Sequence, residues 1–309
     1  MVAIAWFTFS FPDFQYAFLS ILLEGLPFLL GGAILSGLLE EFLPQSLMTR
    51  LLPRNPRVAI VVSGLLGVIF PVCECGIVPV VRRLLKKGLP VSCGVTYMLA
   101  APIVNPLVIL STLAAFRGQG AWEMTILRFG LGLVVAIVAG WIVSFCSPAS
   151  ILRPGLMSLE NEHDHHHGGS GRKIDRLQNV ALVATKDFLD VAVFFVIGAA
   201  AASLFSTAVN QEIILPLAAN PPLAIVSLMG LASVLSVCST TDAFIAATLT
   251  TFPMAAKLAF LVFGPMLDFK LLFLYGAAFS KRFIILLALG LFVVIALLCW
   301  RLSALNLAW

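Results

Sequence analysis

Charged residues are scarce in this sequence. Asp, Glu, Lys and Arg together make up 11% of its 309 residues, whereas roughly 25% is usual for a soluble chain. Hydrophobic residues make up 61%, and apolar runs of about 18 residues or more recur along the chain. This composition excludes an ordinary soluble domain and predicts a polytopic membrane protein. The net charge of +4 then belongs to loops on the cytoplasmic side, and no nucleic-acid partner is expected.

The motifs of several enzyme classes are also missing. The sequence contains no Walker A motif, no zinc-protease motif and no Ser-His-Asp arrangement, so no ATP site, no cofactor and no enzymatic activity are predicted. Residues 1–10 lack a basic stretch and a cleavage site, which indicates that the first apolar helix is retained. A secreted disulfide framework is not expected, because every cysteine lies in or at the edge of an apolar segment. The cysteines are Cys73, Cys75, Cys93, Cys146, Cys238 and Cys299.

One long polar stretch separates two groups of apolar segments. This stretch, residues 147–178, is rich in His, Gly and charged residues, cannot form a packed core and predicts a flexible cytoplasmic linker. It divides the chain into a first membrane repeat, residues 1–146, and a second, residues 179–309. The apolar segments are residues 16–39, 58–81, 90–116, 122–146, 180–206, 223–250, 254–279 and 283–303.

The two halves carry similar landmarks in the same order and at a nearly constant offset. The matching pairs are Cys73 and Cys238, Pro90 and Pro253, Pro102 and Pro265, and Asn105 and Asp268. Several matches of this kind indicate an internal repeat. Interrupted apolar segments at matching positions of two halves are typical of a transporter whose binding site lies at the interface between the repeats.

The basic residues of the loops favour a topology with two re-entrant segments. If all eight segments cross the membrane, a basic cluster lies outside in either orientation. If residues 58–81 and 223–250 are hairpins and the N-terminus is outside, most basic loop residues become cytoplasmic. We therefore predict an all-α polytopic membrane protein of two inverted repeats, each with three crossings plus one re-entrant broken-helix hairpin. Eight full transmembrane helices are the alternative.

Polar residues at the two hairpin tips are the main candidates for a substrate site. The first tip carries Cys73, Glu74 and Cys75 in apolar surroundings, and the second carries Cys238. Thiolates are soft ligands that suit Cu(I), Zn(II), Cd(II) and trivalent arsenicals, so these three cysteines are candidate ligands of a metal or metalloid. The alternative is structural, because free cysteine is often a small buried hydrophobe, and this is the favoured interpretation for the other cysteines.

Carboxylates, hydroxyls and an amide complete the candidate site. Glu74 and Asp242 are candidate proton carriers, because a carboxyl group in a poorly solvated place takes up a proton more readily than one in water; alternatively, they cap free backbone N–H groups. Asn105 and Asp268 either bind substrate or satisfy backbone groups freed by nearby prolines. Lys270 is close enough to Asp268 in sequence to favour a structural pair there. The substrate-binding candidates are Cys73, Glu74, Cys75, Cys238, Thr240, Thr241, Asp242, Asn105 and Asp268.

The linker contains a histidine-rich run. Flexible tracts of this kind can collect Zn(II), Ni(II) or Cu(II), and a solvated polar linker without metal is the alternative. The weak candidate metal ligands are His163, His165, His166 and His167.

The first tip also carries a family resemblance. Residues 70–80, which include Cys73-Glu74-Cys75, together with residues 88–90 and 101–106, resemble the bacterial predicted-permease family that contains the ArsP organoarsenical efflux permeases and the YraQ proteins. Residues 238–242 and 264–265 fit the same family, so the resemblance covers nearly the whole chain. It implies a multi-pass permease of the bacterial cytoplasmic (inner) membrane, with some relatives exporting trivalent organoarsenicals and others linked to heavy-metal efflux. The negative charge of Glu74 favours a cationic substrate or proton coupling.

These observations predict a secondary transporter that exports a thiol-reactive metal or metalloid, such as a trivalent organoarsenical or a soft divalent metal, with proton coupling as an option. A transporter of a small sulfur compound, such as thiosulfate or a thiol, is the second hypothesis. A membrane thiol-redox enzyme is the third, although no cofactor motif accompanies the C-x-C spacing. The expected partners are a small molecule or ion and the lipid bilayer, and the oligomeric state is left open.

Overall fold

A computed structural model shows an all-helical chain. It describes residues 10–42, 53, 55–70, 72–153, 173–208, 218 and 220–304. Within these residues there are thirteen helices and no strand, apart from one isolated bridge between Leu152 and Phe279. The helices are α1 (Phe11–Phe42), α2 (Pro56–Ile69), α3 (Ile77–Lys86), α4 (Val91–Val104), α5 (Pro106–Ala115), α6 (Ala121–Ser144), α7 (Pro148–Ile151), α8 (Lys173–Ala208), α9 (Pro221–Leu235), α10 (Thr241–Thr248), α11 (Met254–Met266), α12 (Phe269–Tyr275) and α13 (Lys281–Ala304).

Six helical stretches of the described chain are long and apolar enough to cross a membrane. Four of them are α1, α6, α8 and α13, and the other two are α4 with α5 and α11 with α12. The segments on which the two predicted topologies differ, residues 58–81 and 223–250, instead contain pairs of shorter helices, α2 with α3 and α9 with α10. The prediction of an all-α polytopic membrane protein is therefore confirmed.

The first long helices of the two halves, α1 and α8, pack against each other and run in opposite directions. Ser36 of α1 donates a hydrogen bond of 2.5 Å to Asp187 of α8. A Cβ on Gly25, earlier in α1, would strike the ring of Phe195, which comes later in α8. Residues later in α1 thus contact residues earlier in α8, so the two helices are antiparallel.

The interior of the protein is built around α4 and α11, which occupy equivalent places in the two halves. In the first half α4 packs between α2 and α6, and in the second half α11 packs between α9 and α13. Of the six long stretches, Met254–Tyr275 is the most deeply buried, since 83% of the residues in its most apolar part are buried inside the protein. The outer helices expose large apolar side chains such as Trp122, Ile142 and Leu286, as expected where protein faces lipid.

Irregular backbone interrupts both short-helix pairs. In the first half α2 ends at Ile69 and α3 begins at Ile77, and in the second half α9 ends at Leu235 and α10 begins at Thr241. The first break lies directly on α1: a Cβ on Gly76 would stand 2.7 Å from the carbonyl oxygen of Phe28, and a Cβ on Gly32 would overlap the backbone of Gly76. Glycine at these two positions therefore lets the two backbones touch.

Part of the predicted linker is attached to the second half. The backbone N–H of Arg153 donates to the carbonyl oxygen of Ala278 at 3.1 Å, and that of Ser280 donates to Ile151 at 2.8 Å. The helix α8 begins at Lys173, inside the stretch that was predicted as linker. Residues 154–172, which include all four candidate histidines, lie outside the described residues.

Candidate functional site

A pocket lies where the two broken segments meet beside α1. It is narrow and partly open, with a cavity volume of about 10 Å³, which is room for about one water molecule. Cys73, Glu74 and Cys75 of the first break line it, as do Cys238 of the second break and Lys270 of α12. The structure thus brings four of the predicted site residues together, two of them separated by more than half the chain.

A buried lysine of the pocket lining, Lys270, pairs with two carboxylates, Glu74 in the lining and Asp268 outside it. The Nζ atom of Lys270 lies 3.3 Å from Oε1 of Glu74 and 3.5 Å from Oδ2 of Asp268. It also donates a hydrogen bond of 2.9 Å to the carbonyl oxygen of Ser236. We call Glu74, Asp268 and Lys270 the pocket cluster. The side chains of Glu74 and Lys270 are only 2% and 4% exposed, and ions this buried are stable only when paired and hydrogen-bonded.

The second break is bonded to the first through Ser239. Its hydroxyl donates to Oε2 of Glu74 at 3.2 Å, and its carbonyl oxygen accepts a hydrogen bond of 2.8 Å from Arg128 of α6. The other end of the Arg128 guanidinium donates to the hydroxyl of Thr112 at 2.7 Å. Both oxygens of Glu74 are therefore held by residues of the second half.

Asp242 is buried behind the second break, and one of its oxygens has no partner. Its backbone N–H donates to the carbonyl oxygen of Cys238 at 2.9 Å, and its Oδ2 atom makes no hydrogen bond. A Cβ on the neighbouring Gly264 would stand 3.0 Å from this atom. Proton coupling through Glu74 and Asp242 stays a prediction: the structure places Glu74 in an ion pair and leaves Asp242 with an unpartnered carboxylate oxygen.

The three candidate thiol ligands share the pocket as free cysteines. Thr240 accompanies them, since its hydroxyl lies 3.4 Å from the sulfur of Cys238, whereas the side chain of Thr241 is exposed. In the part of the chain that the structure describes, no group of three or more His, Cys, Asp or Glu side chains is placed to hold a metal ion. The thiols are thus gathered in one place without forming a ready-made three-ligand site.

Asn105 and Asp268 cap helices in equivalent places of the two halves. The side chain of Asn105 accepts a hydrogen bond of 2.9 Å from the backbone N–H of Leu107 at the start of α5. Oδ1 of Asp268 accepts one of 2.6 Å from Leu271 at the start of α12. The structure therefore shows the structural role that the sequence offered as an alternative, and Asp268 adds an ion pair with Lys270.

Several residues of the site were not predicted from the sequence. Glu24 lines the pocket from α1, and Arg128 is 2% exposed in the middle of α6. A charged residue inside a long apolar helix is itself a signal for a functional or structural ion site, so both could have been found. Ser236 and Ser239 gave no comparable signal, because serines occur in many apolar segments.

A second set of charges joins α1, α3 and α8 away from the pocket. Arg83 of α3 lies 2.8 Å from Asp187 and 3.3 Å from Glu40, and its Nε atom donates to the hydroxyl of Ser36 at 3.4 Å. We call Ser36, Glu40, Arg83 and Asp187 the clamp cluster. The pocket-lining residues of α1, numbers 21–28, precede Ser36 and Glu40 in the helix, so the clamp cluster and the pocket lie at different levels of α1.

Six apolar helical stretches of the described chain and a polar pocket beside α1 fit a multi-pass membrane protein of the transporter class. A family model described as a predicted permease, ArsP_1, matches residues 10–302. The chain belongs to this permease family, as its first motif predicted, and it is a multi-pass bacterial membrane protein.

Two curated relatives support this assignment. The UPF0718 protein YcgR of Bacillus subtilis (strain 168) is 40% identical over 288 residues, which cover 93% of this chain and 95% of the relative. The putative two-component membrane permease complex subunit of Streptococcus mutans serotype c (strain ATCC 700610 / UA159) is 37% identical over 270 residues, or 87% of each chain. No solved structure matches the chain.

Proposed function

We propose that this permease is a secondary transporter that exports a thiol-reactive metal or metalloid through the pocket between its two broken segments. The observation that carries the proposal is the convergence of Cys73, Cys75 and Cys238 on one pocket beside Glu74. Sulfur ligands select soft species such as Cd(II), Cu(I) or a trivalent arsenical. Carboxylates and thiols at broken backbone inside an apolar protein are costly to keep unless they serve a substrate pathway.

We further propose that the two halves are inverted repeats and that each broken segment is a re-entrant hairpin. The antiparallel packing of α1 and α8 supports the inversion. With the N-terminus outside, α1 ends on the cytoplasmic side, and so does α3, because Lys87 donates a hydrogen bond of 2.6 Å to the carbonyl oxygen of Glu40 near the end of α1. The contact of Arg153 with Ala278 fits the same side. The hairpins then enter from opposite faces and meet at the pocket.

The open arrangement of the thiols suits transport rather than storage. A carrier must bind its substrate firmly enough to select it and loosely enough to release it, as channels must for ions. A preassembled set of three thiolates would hold a soft metal tightly. Three free cysteines on two separate hairpins form a complete ligand set only when the hairpins adjust around the substrate.

The proposal is tested by paired cysteine variants in cells that lack their own efflux systems. Cells expressing the wild type, a Cys73→Ser/Cys75→Ser variant or a Cys146→Ser control are exposed to methylarsenite, arsenite, Zn(II), Cd(II) and Cu salts at matched membrane levels. Cys146 is exposed and lies outside the pocket, so its variant should behave as the wild type. We expect the double variant to lose resistance to at least one toxicant. Equal resistance of all three strains to every toxicant removes the thiol mechanism.

A transporter of a small sulfur compound is the second candidate. The ammonium group of Lys270 lines the pocket together with the thiols, and an anion such as thiosulfate would find both a positive charge and a sulfur contact there. Growth on thiosulfate or on a small thiol as the only sulfur source, in a host that lacks its own uptake systems for these compounds, tests this function. Growth that requires the permease and Cys238 favours this candidate over metal export.

A further inference from the structure

We propose that the position between the carboxylates of the pocket cluster is a cation site, and that the Lys270 ammonium fills it until a soft divalent cation displaces it. This inference rests on the proposed function and deepens it, because it selects a cation from the thiol-reactive species. Lys270 is then the residue that determines the charge of the substrate.

The surroundings of the ammonium are those of a bound cation. Three oxygens lie around its Nζ atom, the carboxylates of Glu74 and Asp268 at 3.3 and 3.5 Å and the carbonyl of Ser236 at 2.9 Å. These oxygens come from the first break, from the residue before α12 and from the end of α9. Carbonyl oxygens at the ends of broken helices coordinate cations in other transporters, and here a side chain occupies the equivalent place. Two of these contacts are hydrogen bonds, to Glu74 and Ser236, and the third is an ion pair with Asp268.

The balance of charge around the pocket favours a positive substrate. Glu24 and Glu74 line the pocket and Asp268 pairs with Lys270, which among the described residues is the one basic residue of the lining. The guanidinium of Arg128 is turned away toward Thr112 and the carbonyl oxygen of Ser239. When the lysine withdraws, the position between the carboxylates keeps a negative surplus that a divalent cation can neutralise. An anion would instead meet this surplus.

The same position offers sulfur ligands, which explains a preference for soft cations. Cys73 and Cys75 stand on either side of Glu74 in the sequence, Cys238 follows Ser236 by two positions, and all three line the pocket. A cation that replaces the ammonium therefore has carboxylate and thiol groups in the same pocket. Zn(II) and Cd(II) accept this mixture, whereas Na⁺ and K⁺ bind oxygen alone.

Lysine is suited to this task in a way that arginine is not. Its charge is a compact ammonium on a flexible four-carbon stem, which can leave and return without breaking a planar, two-pronged contact. The tethered ammonium also keeps the carboxylates neutralised while the carrier is empty, so that the buried charges of Glu74 and Asp268 are never left alone. The ammonium thus keeps Na⁺ and K⁺ out of the site, and a cation that binds more tightly can still displace it.

The test compares two buried lysines in purified full-length protein in proteoliposomes. Lys270→Ala removes the tethered ammonium. Lys257→Ala is the matched control, because Lys257 is 3% exposed, lies outside the pocket and has its ammonium 6.0 Å from the ring centre of Phe116. Cd(II) and methylarsenite uptake are measured over a range of concentrations, and thermal unfolding is followed in NaCl, KCl and choline chloride.

We expect Lys270→Ala to lower KM for Cd(II) by about tenfold, since no ammonium has to be displaced, and to lower the maximal rate as release slows. Na⁺ or K⁺ should raise the unfolding temperature of this variant above its value in choline chloride, because the vacated oxygens now bind an inorganic cation. The wild type and Lys257→Ala should show neither change. Responses of Lys270→Ala that match those of Lys257→Ala overturn the inference.

Two further arms keep the test decisive. If Lys270→Ala does not fold, the charge-balanced variant Lys270→Ala/Glu74→Gln replaces it, and its Cd(II) uptake should fall at least about tenfold more than its methylarsenite uptake; an equal fall contradicts the inference. If the wild type carries thiosulfate and Lys270→Ala does not, Lys270 binds an anion and the inference is wrong. If the wild type carries neither Cd(II) nor methylarsenite, the proposed function itself fails.

Discussion

The pocket cluster and the clamp cluster both connect the first half of the protein to the second, and they use different basic residues. Each one ties the first broken segment to the second half, through Glu74 and Lys270 in the pocket and through Arg83 and Asp187 in the clamp. The pocket cluster lies at irregular backbone and its ion-paired side chains are at most 4% exposed. The clamp cluster joins regular helices, and Glu40, one of its carboxylates, is 41% exposed.

The two connections differ in how firmly the basic residue is held by its partners. Arg83 divides its guanidinium between Asp187, Glu40 and Ser36, and a planar group held at several points is hard to dislodge. Lys270 offers a single point charge at the place where a substrate would arrive. The clamp lies near the last turn of α3, whereas Glu74 of the pocket cluster lies in the break before its first turn.

The largest effect should come from breaking the clamp. Arg83→Ala leaves the carboxylate of Asp187, 6% exposed, with Ser36 alone, and an unpaired buried charge of this kind costs about 3 kcal/mol or more. We expect a clear loss of stability in reversible unfolding in mixed micelles, with Arg83→Lys losing less. An Arg83→Ala protein as stable as the wild type would show that the clamp has no holding role.

A smaller but still large effect is expected at the contact between α1 and the first break. Gly32→Ala places a methyl group into the backbone of Gly76, whereas a methyl group on Gly31 meets nothing within 4 Å. Because Ala favours helix over Gly by about 1 kcal/mol, Gly31→Ala should be neutral or stabilising. Gly32→Ala should destabilise by about 2 kcal/mol through overpacking. The two variants are compared by the same unfolding measurement, and equal stabilities would refute the close contact.

The next prediction separates the two duties of Asp268. Asp268→Asn keeps an acceptor for the N–H of Leu271 but removes the charge near Lys270, whereas Asp268→Ala removes both. The alanine variant should therefore be less stable than the asparagine variant by about 1 kcal/mol, the usual value of an N-cap. Asn105→Ala gives the matched value for the first half, where the cap carries no charge. If Asn and Ala at position 268 are equally stable, the cap contributes nothing.

The smallest effect is expected at the edge of the clamp. Arg82 pairs with Asp190 at 3.1 Å, and the side chain of Asp190 is 42% exposed. A pair this accessible contributes about 1 kcal/mol or less and weakens with salt. Asp190→Asn should thus shift the unfolding midpoint only slightly and should do so less at high salt. A loss as large as that of Arg83→Ala would remove the distinction between clamp and edge.

The sequence revealed the breaks but not their contacts. Prolines, a glycine and polar residues inside apolar runs were enough to place interruptions near Cys73 and Cys238, because such residues are costly in a lipid-facing helix. The matched spacing of the prolines also placed Asn105 and Asp268 at equivalent positions, where substrate binding and the satisfaction of freed backbone groups were both possible. These are local features, and local features can be read from one chain.

The partners across the pocket could not be read in the same way. Glu74 and Lys270 are separated by 196 positions, and nothing in the composition of either neighbourhood names the other. The exposure of Thr241, next to the half-buried Thr240, depends on the rotation of α10, which the short apolar sequence leaves undetermined. Long-range pairing and helix rotation are set by tertiary packing, which a single sequence does not encode in any simple pattern.

The way in which Glu74 is held has a consequence for biosynthesis. Its two carboxylate oxygens are bonded to Ser239 and Lys270, which follow it by 165 and 196 positions. A ribosome must therefore deliver the second half as far as Lys270 before the first break can form both of these contacts. Until then the carboxylate of Glu74 does not have both of these partners. The first half therefore reaches its final packing only after the second half has been synthesised.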